Sequence, residues 1–534
     1  MLVKFEDEGG SGIGALTWFP VHCTSMNNTN RLVSADNKGA ASQFMEKWAL
    51  QQAGSNEGQP PLSPEFVAAF AQANVGDTSP NIQGAFCRDT GLPCDAVHST
   101  CDGRVKECIG RGPGWPNNFE STQVIGQRQA DKTQDLWQLA NFTVSGPIDY
   151  RHAFLDMRSI QVEASEHTRE GKTCLPAMGM AFAAGTTDGP GAFDFVQSDT
   201  NGTAFWRLVR NFIRKPTKQQ EDCHAPKPIL LDVGEMHYPY EWVPYIVEIQ
   251  ILRVGQLVIL CVPGEFTTMS GRRLRNAVRD MVEEAWGPNV HLVVAGLTNT
   301  YASYITTFEE YQVQRYEGGF TLFGPHTLDA YIQEFKKLAV AMVSGKPSDE
   351  GPPPPNQLSK QWSLVPPVVA DGVPSGKEFG DVFQDVEKAA YVAGEAVSVV
   401  FHAGCPRNNL HQEGTFLTVE RLDKDSGTWK VIHTDDDWST KFSWDRPSKL
   451  STLSYANVTW EIPADVEPGT YRIRHFGDHK HFWGNPEPYQ GTSSTFEVVT
   501  PSLIGGVRRG WATLGRKAHA GGDWLLHGLR SLFT

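Results

Sequence analysis

The sequence lacks the long apolar runs and the excess of positive charge that mark two large protein classes. Its apolar stretches, such as residues 257–262, fall far short of the roughly 18 to 20 residues that a membrane-spanning helix needs. Lysine and arginine number 47 against 61 acidic residues, so the formal net charge is −14. We therefore predict that the chain does not cross a bilayer and that nucleic acid is not its main partner.

Compact catalytic motifs are missing as well. No Gly-x-Ser-x-Gly elbow occurs, which disfavours the standard α/β-hydrolase mechanism. No His-Glu-x-x-His motif occurs either, so any metal site must be assembled from segments that are far apart in the chain. The pattern of residues 2–6 predicts a strand at the very start of the sequence. These residues lack the charged-then-apolar order of a secretion signal.

The composition predicts a folded protein with more than one domain. Hydrophobic residues make up 40% of the 534 residues, and 15 Trp and 28 Phe are among them. Prolines at 352–355 form a stiff, extended spacer that a core cannot absorb. We therefore predict a domain at 1–343, a Pro-rich linker at 344–360 and a second domain at 361–500.

The two predicted domains differ in fold class. Upstream, a hairpin over 246–254 and 256–262, helices over 272–285 and 326–343 and a strand over 290–295 predict a mixed α/β domain. Downstream, short alternating runs predict an all-β, immunoglobulin-like sandwich, with strands at 396–401, 415–421, 428–433, 458–462, 470–476 and 495–499. The tail at 501–534 is basic and apolar. It is either a poorly ordered extension or an amphipathic helix that lies on an anionic membrane.

Nine cysteines occur, and four recur at spacings of seven in one loop: Cys87, Cys94, Cys101 and Cys108. This spacing leaves a zinc knuckle and a disulfide knot open, and the lack of Cys-x-x-Cys units favours disulfides. Cys174 and Cys223 flank another irregular stretch and are candidates for a third bridge. An oxidising compartment, and hence a secreted or extracellular glycoprotein, is further favoured by sequons at Asn27, Asn141, Asn201 and Asn457.

Polar side chains stand where several apolar runs end. Ser79 follows the run 66–71 and a Gly-Asp-Thr turn, and His22, Glu265 and Tyr304 each follow or close another run. Such strand ends are where α/β enzymes expose reactive side chains. The structural alternatives are a turn cap at Ser79, a satisfied histidine at position 22 and a helix N-cap at Glu265. The residues alone indicate a hydrolase-like site with the option of a metal.

Several strings of residues resemble the neutral ceramidase family and occur in the same order and nearly the same spacing. They are Val21-His22 with Ser25-Met26-Asn27-Asn28, Gly76-Asp77-Thr78-Ser79-Pro80-Asn81, the run from Pro263 to Arg273, Tyr304-Ile305-Thr306-Thr307 with Glu309-Glu310-Tyr311, and Tyr316-Glu317. The likeness runs from about residue 14 to about residue 499. It implies a zinc-dependent amidohydrolase that cuts the N-acyl bond of ceramide. Ceramide and related N-acylsphingoid lipids would be its partners, at a membrane surface that it contacts peripherally.

The resemblance also implies roles for individual residues. His22, Glu265 and Tyr304 match the zinc ligands of the family, and Ser79 matches its catalytic serine. Tyr316 matches a tyrosine that stabilises the developing oxyanion. Whether Ser79 attacks the amide or orients a water molecule stays open.

Further features follow from the same resemblance. It pairs Cys87 with Cys101, Cys94 with Cys108, and Cys174 with Cys223. It also assigns a calcium or magnesium ion to the acidic loop of the second domain, with Asp435, Asp437 and Thr440 as oxygen ligands.

Members of the family begin upstream of Met1 with a segment that carries a His-x-His pair. One of these histidines completes the zinc sphere, and the other assists the serine. We therefore expect a chain that is truncated at its N-terminus, with an incomplete α/β domain, and that is a poor catalyst as it stands. Equal hydrolysis of ceramide by this chain and by an extended version would refute that hypothesis.

Two other functions remain open. One is a non-catalytic, ceramidase-like lipid-binding protein, against which the four matching site residues argue. The other is a secreted zinc amidase for a different N-acyl lipid. The site residues do not exclude it, because they act on the carbonyl group and not on the lipid chains.

Overall fold

The computed structural model describes residues 1–53, 62–361, 365 and 367–500. The chain divides into two compact units, of which the first comprises Met1–Asn30 and Ser34–Gln361. The second comprises Arg31–Val33 and the described residues from 365 to 500. A mixed α/β unit followed by a largely β unit confirms the predicted order of fold classes. The predicted tail at 501–534 lies outside the described residues.

Helices and strands alternate along the first unit. Its helices are α1 (Asp36–Gln52), α2 (Asn118–Leu139), α3 (Met180–Ala183), α4 (Ala204–Ile213), α5 (Lys218–His224), α6 (Thr268–Trp286), α7 (Phe308–Val313), α8 (Tyr316–Gly319) and α9 (Thr327–Val343). Its strands are β1 (Leu2–Glu6), β2 (Gly12–Trp18), β3 (Leu62–Ala71), β4 (Ala85–Cys87), β5 (Cys108–Gly110), β6 (Ile148–Asp156), β7 (Gln161–Val162), β8 (Gly171–Lys172), β9 (Met178–Gly179), β10 (Gly185–Thr186), β11 (Gly189–Pro190), β12 (Ile229–Leu231), β13 (Ile246–Val254), β14 (Leu257–Cys261), β15 (Glu265–Phe266), β16 (His291–Ala295) and β17 (Tyr304–Ile305).

The largest sheet of the first unit has the strand order β16-β14-β13-β6. The predicted hairpin of β13 and β14 is confirmed, and it turns at Gly255, whose φ of +56° suits glycine. β14 runs parallel to β16, and α6 connects them. Val258 and Leu260 of β14 share one buried cluster with Leu274 of α6 and Phe335 of α9. The predicted helices and strand of this region are therefore confirmed to within a few residues.

A second sheet, with the order β1-β2-β3, packs with α1 and α2. β2 and β3 are parallel and end side by side, because Trp18 pairs with Ala71. The two helices approach closely at Gly126, where an added Cβ would lie 2.7 Å from the Cβ of Ala40. The loops that follow β2 and β3 therefore leave the same edge of the sheet.

Three disulfides brace the irregular parts of the first unit. The structure pairs Cys87 with Cys101, Cys94 with Cys108, and Cys174 with Cys223, as the resemblance implies. The four sulfurs of the first loop are thus committed to S–S bonds, so this loop is not a zinc knuckle. The third bridge closes a sequence separation of 49 residues.

The predicted linker is not a free spacer over its whole length. Its first part lies along β6, where Phe154 N donates to Glu350 O at 2.8 Å and Ser348 Oγ donates to His152 O at 2.8 Å. The prolines at 352–355 are exposed, as expected. The prediction missed the docked part because β6 offers unpaired backbone groups that composition does not reveal.

The second unit consists of two packed sheets, with the orders β18-β20-β24-β23 and β19-β27-β25-β21-β22, and β26 pairs with β25. Its strands are β18 (Val382–Gln384), β19 (Ala390–Val392), β20 (Ala396–His402), β21 (Leu417–Leu422), β22 (Trp429–Thr434), β23 (Thr440–Asp445), β24 (Tyr455–Glu461), β25 (Gly469–Lys480), β26 (Pro486–Thr492) and β27 (Phe496–Val499).

Both sheets of the second unit contribute to one core. Trp460 and Val397 from one sheet and Tyr471 from the other are fully buried in it. The Tyr471 hydroxyl donates to Glu467 O at 2.5 Å and fixes the turn before β25. The six predicted strands are confirmed, but β18, β19, β23 and β26 were missed because they are short, at an edge or interrupted by proline. The immunoglobulin-like subclass stays a prediction.

Within the described residues, no helix combines the length and the hydropathy that a bilayer crossing requires.

Candidate active site

The loops that follow β2 and β3 lie against each other. Backbone N–H of His22 donates to Thr78 O at 2.9 Å, and Gly76 N donates to Phe266 O of β15 at 2.9 Å. A Cβ at position 76 would lie 2.7 Å from Glu265 O, so only glycine permits this approach. The segments around His22, Ser79 and Glu265 therefore meet at one place.

Glu265 and Tyr304 are neighbours because their short strands pair in parallel. Glu265 of β15 is the register partner of Tyr304 of β17. α6 begins directly after β15, and its N-cap is Thr267, whose hydroxyl accepts from Ser270 N at 3.2 Å. The alternative interpretation of Glu265 as the N-cap is therefore wrong, and its carboxylate is free to face the histidine.

Three polar groups converge at this point. His22 Nε2 lies 2.8 Å from Glu265 Oε2 and 3.1 Å from the Tyr304 hydroxyl, although these residues are more than 240 positions apart from His22 in sequence. His22 Nδ1 lies 3.1 Å from Thr78 O, to which it donates, so Nε2 is the nitrogen that faces the other two groups. The convergence that the resemblance implies is present in the structure.

Burial and charge perturb all three groups. Burial alone would lower the pKa of His22, but the hydrogen bond and charge of Glu265 raise it above its usual value. Burial opposes ionisation of Glu265, yet its bonds to His22 and Tyr301 lower its pKa. Burial and the Glu265 carboxylate raise the pKa of Tyr304 far above its usual range.

The three groups fit a zinc ion. Imidazole nitrogen, carboxylate oxygen and phenol oxygen are donors that zinc accepts, and tetrahedral ligands at about 2.0–2.2 Å from zinc lie about 3.4 Å apart. The observed separations of 2.8 and 3.1 Å need only a small outward movement. Because Nδ1–H is committed to Thr78 O, the lone pair of His22 Nε2 is the one available to an ion.

Tyr301 supports Glu265 and was not assigned a role from the sequence. Its hydroxyl donates to Glu265 Oε1 at 2.6 Å, so the other carboxylate oxygen is left to face His22. The loop before Tyr304 contains three non-glycine residues with positive φ, namely Leu297, Asn299 and Ser303. Such a conformation is costly and often occurs at functional sites. The sequence signal was the second phenol, three positions before Tyr304.

Three consecutive buried polar residues at the start of α1 hold the His22 loop, and the sequence analysis did not single them out. Asn37 Nδ2 donates to His22 O at 2.9 Å and to Ser25 Oγ at 3.0 Å. Asp36 accepts from the backbone N–H groups of Ser25 and Met26. Lys38 Nζ donates to Phe19 O at 2.6 Å. This set fixes the backbone on both sides of His22.

Ser79 lies beside this centre and is held by a carboxylate. Its hydroxyl donates to Asp188 Oδ2 at 2.7 Å and accepts from Asn81 N at 3.0 Å. The same Asp188 oxygen accepts from Thr24 Oγ1 at 3.0 Å. Ser79 is therefore both a turn cap and a side chain that faces the site. Asp188, more than one hundred residues away, carried no sequence signal of its own.

A cleft of about 640 Å³ brings Ser79, His22, Tyr304 and Tyr316 to one surface. Its walls also include the loops around His22 and Ser79, the loops around β10 and β11, and Phe182, Gln197, Arg315 and Glu317. This volume is in the usual range for a small-molecule site.

Tyr316 packs edge-on against Tyr304 within this cleft, with ring centroids 5.3 Å apart. Burial and the Glu265 carboxylate raise the pKa of Tyr316 to about 12, so its hydroxyl stays protonated near neutral pH. The guanidinium group of Arg315 contacts the disulfide loop next to the cleft. It donates to Ala96 O at 2.9 Å and to Ser99 Oγ at 2.8 Å.

Side-chain oxygens of the acidic loop in the second unit form hydrogen bonds with nearby residues of the same unit. Asp435 accepts from Thr415 Oγ1 and Phe416 N, and Thr440 Oγ1 donates to Thr434 O at 2.7 Å. Burial and the two adjacent carboxylates raise the pKa of Asp436. The calcium or magnesium site at Asp435, Asp437 and Thr440 stays a prediction.

Comparison with known proteins agrees with this geometry. Residues 1–333 match the sequence profile described as neutral/alkaline non-lysosomal ceramidase, N-terminal, and residues 335–498 match the profile of its C-terminal part. The chain belongs to the neutral/alkaline ceramidase family. As a member of this family, the chain is an amidohydrolase of sphingolipid metabolism.

Individual relatives of this ceramidase-family chain are similar over most of its length. It is 47% identical to the neutral ceramidase of Oryza sativa subsp. japonica, over 93% of this chain and 72% of that protein. It is 43% identical to the neutral ceramidase of Drosophila melanogaster, over 93% of this chain and 70% of that protein. A solved structure, a ceramidase complexed with C2, is 36% identical with a TM-score of 0.76 and is covered to 72%. The neutral ceramidase of Pseudomonas aeruginosa is 35% identical with a TM-score of 0.73, over 93% of this chain and 70% of that one.

Proposed function

We propose that the cleft catalyses zinc-dependent hydrolysis of the N-acyl amide bond of ceramide, which gives sphingosine and a free fatty acid. The observation that carries this proposal is the approach of His22, Glu265 and Tyr304 to within 2.8 and 3.1 Å, beside Ser79 and Tyr316. His22 Nε2, Glu265 Oε2 and the Tyr304 hydroxyl would hold the ion. A bound zinc ion supplies Lewis acidity that polarises the substrate carbonyl and acidifies water.

The chain's own residues would orient the reacting groups. The Ser79 hydroxyl donates a hydrogen bond to Asp188 Oδ2 at 2.7 Å, and this contact orients the serine. Ser79 then either attacks the carbonyl carbon or positions the attacking water, and both options remain. The protonated Tyr316 hydroxyl is a donor for the oxyanion that forms on the amide oxygen.

The test is the release of sphingosine and fatty acid from ceramide in detergent micelles. We expect the activity, measured on this chain or on an N-terminally extended version, to disappear with a zinc chelator and to return on addition of zinc. His22→Ala should abolish it, and Tyr316→Phe should lower kcat by roughly 10²–10³-fold. The matched control is His291→Ala, which changes an exposed histidine at the start of β16.

Different outcomes separate the alternatives. Ceramide binding without hydrolysis at any zinc concentration would favour a lipid-binding protein. Faster hydrolysis of short N-acyl amines than of ceramide would favour another amidase. The same assay, run on the 534-residue chain and on an N-terminally extended version, tests the expectation that the chain alone is a poor catalyst.

We further propose that the chain contacts an anionic membrane through α4. Phe205, Leu208 and Phe212 lie on one side of this helix and are 62%, 68% and 93% exposed. Exposed apolar side chains at such a helical spacing, on a segment that also carries the exposed cations Arg207 and Lys215, suit the interface of an anionic bilayer. Phe193, 67% exposed, lies between the cleft residues Gly191 and Gln197, so the apolar surface continues toward the cleft.

Co-sedimentation with phosphatidylcholine and phosphatidylserine vesicles tests the membrane proposal. The triple variant F205S/L208S/F212S should lose most of its binding, because it removes the apolar area that enters the bilayer. Leu139→Ser is the control, since Leu139 is 70% exposed at the end of α2. Equal sedimentation of the triple variant and the control would contradict the proposal.

We also propose a secreted or extracellular location. Three disulfides support it, because such bonds persist in oxidising compartments. Of the predicted glycosylation sites, Asn141 and Asn201 are exposed, whereas Asn457 lies within β24. A mass shift on glycosidase treatment of protein from a secretory host, lost in Asn141→Gln or Asn201→Gln, checks this proposal.

A further inference from the structure

A group of side chains that can bind a metal lies in the second unit, at the turn end of the β25–β26 hairpin. His479 is near the end of β25, and its direct register partner on β26 is Glu487. His481 follows two positions after His479, just beyond the end of the strand. Side chains two positions apart along an extended chain lie on the same face, and direct partners on neighbouring strands do so as well. The backbone pairing therefore places these three side chains together.

The side chains approach as closely as one ion requires. One ring nitrogen of each histidine and one carboxylate oxygen of Glu487 all lie within 4.8 Å of one another. The imidazole rings of His479 and His481 are 5.0 Å apart at an interplanar angle of 77°. Ligands that surround one ion face it from different directions, so they are not stacked in parallel.

His479 is held in place, and its ring has unused hydrogen-bonding capacity. The ring of Phe379 stacks on it at 4.1 Å with an interplanar angle of 6°, which fixes its plane. His479 Nδ1 is shielded from solvent and has no hydrogen-bond partner within the part of the chain that the structure describes. A shielded polar atom without a partner is costly, and an ion would relieve that cost.

We propose that His479, His481 and Glu487 form a binding site for a divalent transition metal of the zinc class. Two neutral imidazoles and one carboxylate match the ligand preference of zinc, whereas calcium and magnesium take oxygen ligands. Three protein ligands leave a coordination position for water. The site lies in a different unit from His22 and does not depend on the function proposed for the cleft.

Such an ion would join the two strands of the hairpin beside its connecting turn. β26 is bonded within its sheet to β25, and His481 and Glu487 are the exposed residues that flank the connecting turn. An ion that joins both strands binds only the folded hairpin, so the stability of the second unit should rise with the logarithm of the ion concentration above its Kd.

The experiment measures zinc stoichiometry on the full chain by competition with a chromogenic chelator. All variants carry His22→Ala, so that the site in the cleft contributes nothing. We expect the His22→Ala chain to bind one more equivalent of zinc than the same chain with His481→Asn. Glu487→Gln should weaken that equivalent. His291→Asn, which changes an exposed histidine of the first unit, should leave the equivalent intact.

Thermal unfolding gives a second, independent measurement. Zinc should raise the Tm of the His22→Ala chain, and His481→Asn should lose that rise while it keeps the Tm of the zinc-free protein. An unchanged zinc stoichiometry in the His481→Asn and Glu487→Gln variants would overturn the proposal. A zinc equivalent that is lost equally in the His291→Asn control would overturn it too, because the loss would not be specific to the cluster.

Discussion

Removing one hydroxyl group tests how the proposed zinc centre is held together. Tyr301→Phe deletes the donor that lies 2.6 Å from Glu265 Oε1 and leaves the ring in place. A hydrogen bond to a charged acceptor contributes about 1.5–3 kcal/mol, and outer contacts of this kind typically change metal affinity by about 10–100-fold. Glu265 is only 8% exposed, so water replaces the lost donor poorly. We therefore expect zinc affinity to fall by roughly 10–100-fold.

The assay is zinc competition with a chelator of known affinity, together with ceramide hydrolysis at saturating zinc. At saturation the Tyr301→Phe variant should recover most of its activity, because the hydroxyl orients a ligand and does not touch the substrate. Tyr150→Phe is the control, since Tyr150 is 67% exposed on β6. If Tyr301→Phe bound zinc as tightly as the control, Glu265 would not need this support and the reasoning would be wrong.

Four other predictions address the stability of the two units. Replacing Cys174 and Cys223 by serine opens a bridge across 49 residues and should lower the free energy of unfolding by about 4 kcal/mol in denaturant titrations. Asn37→Leu leaves His22 O and the Gln129 amide without their partner, so it should cost about 2–4 kcal/mol and weaken zinc binding; unchanged values would show that the α1 contacts are dispensable. Burial lowers the pKa of His475 to about 4, so between pH 6.5 and pH 4 the unfolded chain binds a proton at this residue and the folded chain does not. The free energy of unfolding should therefore fall by about 3 kcal/mol as the pH drops over that range. His475→Gln should show a smaller dependence of the free energy of unfolding on pH. Calcium should raise the Tm of the wild type and leave that of Asp437→Asn unchanged, and an equal response of both would remove the cation from the acidic loop.

Much of the fold was predictable because local patterns and tertiary structure agree. The β13–β14 hairpin turns at Gly255 as its sequence indicates, and α9 follows its apolar period. The strands of the second unit that were predicted are those that alternate and contribute to its core. β26 lies at a sheet edge and carries two prolines, so no period-two pattern marks it. β23, also at an edge, does alternate apolar Phe442 and Trp444 with polar residues, and the sequence analysis overlooked it.

The candidate site was predictable only in part. His22, Glu265 and Tyr304 stand at strand ends, but periodicity could not show that β15 and β17 pair and bring two of them together. Asp188 and Tyr301 were missed because their importance lies in the atoms that they contact. The ligand set itself came from the family resemblance, which carries information that one sequence read by composition and spacing does not contain.

Arg315 gives the disulfide loop an influence on the cleft. Its guanidinium group donates hydrogen bonds to Ala96 and Ser99, which lie in sequence between Cys94 and Cys101 of the two bridges. The next residue in the chain is Tyr316. The conformation that the two bridges give the loop therefore bears on the position of the tyrosine beside it.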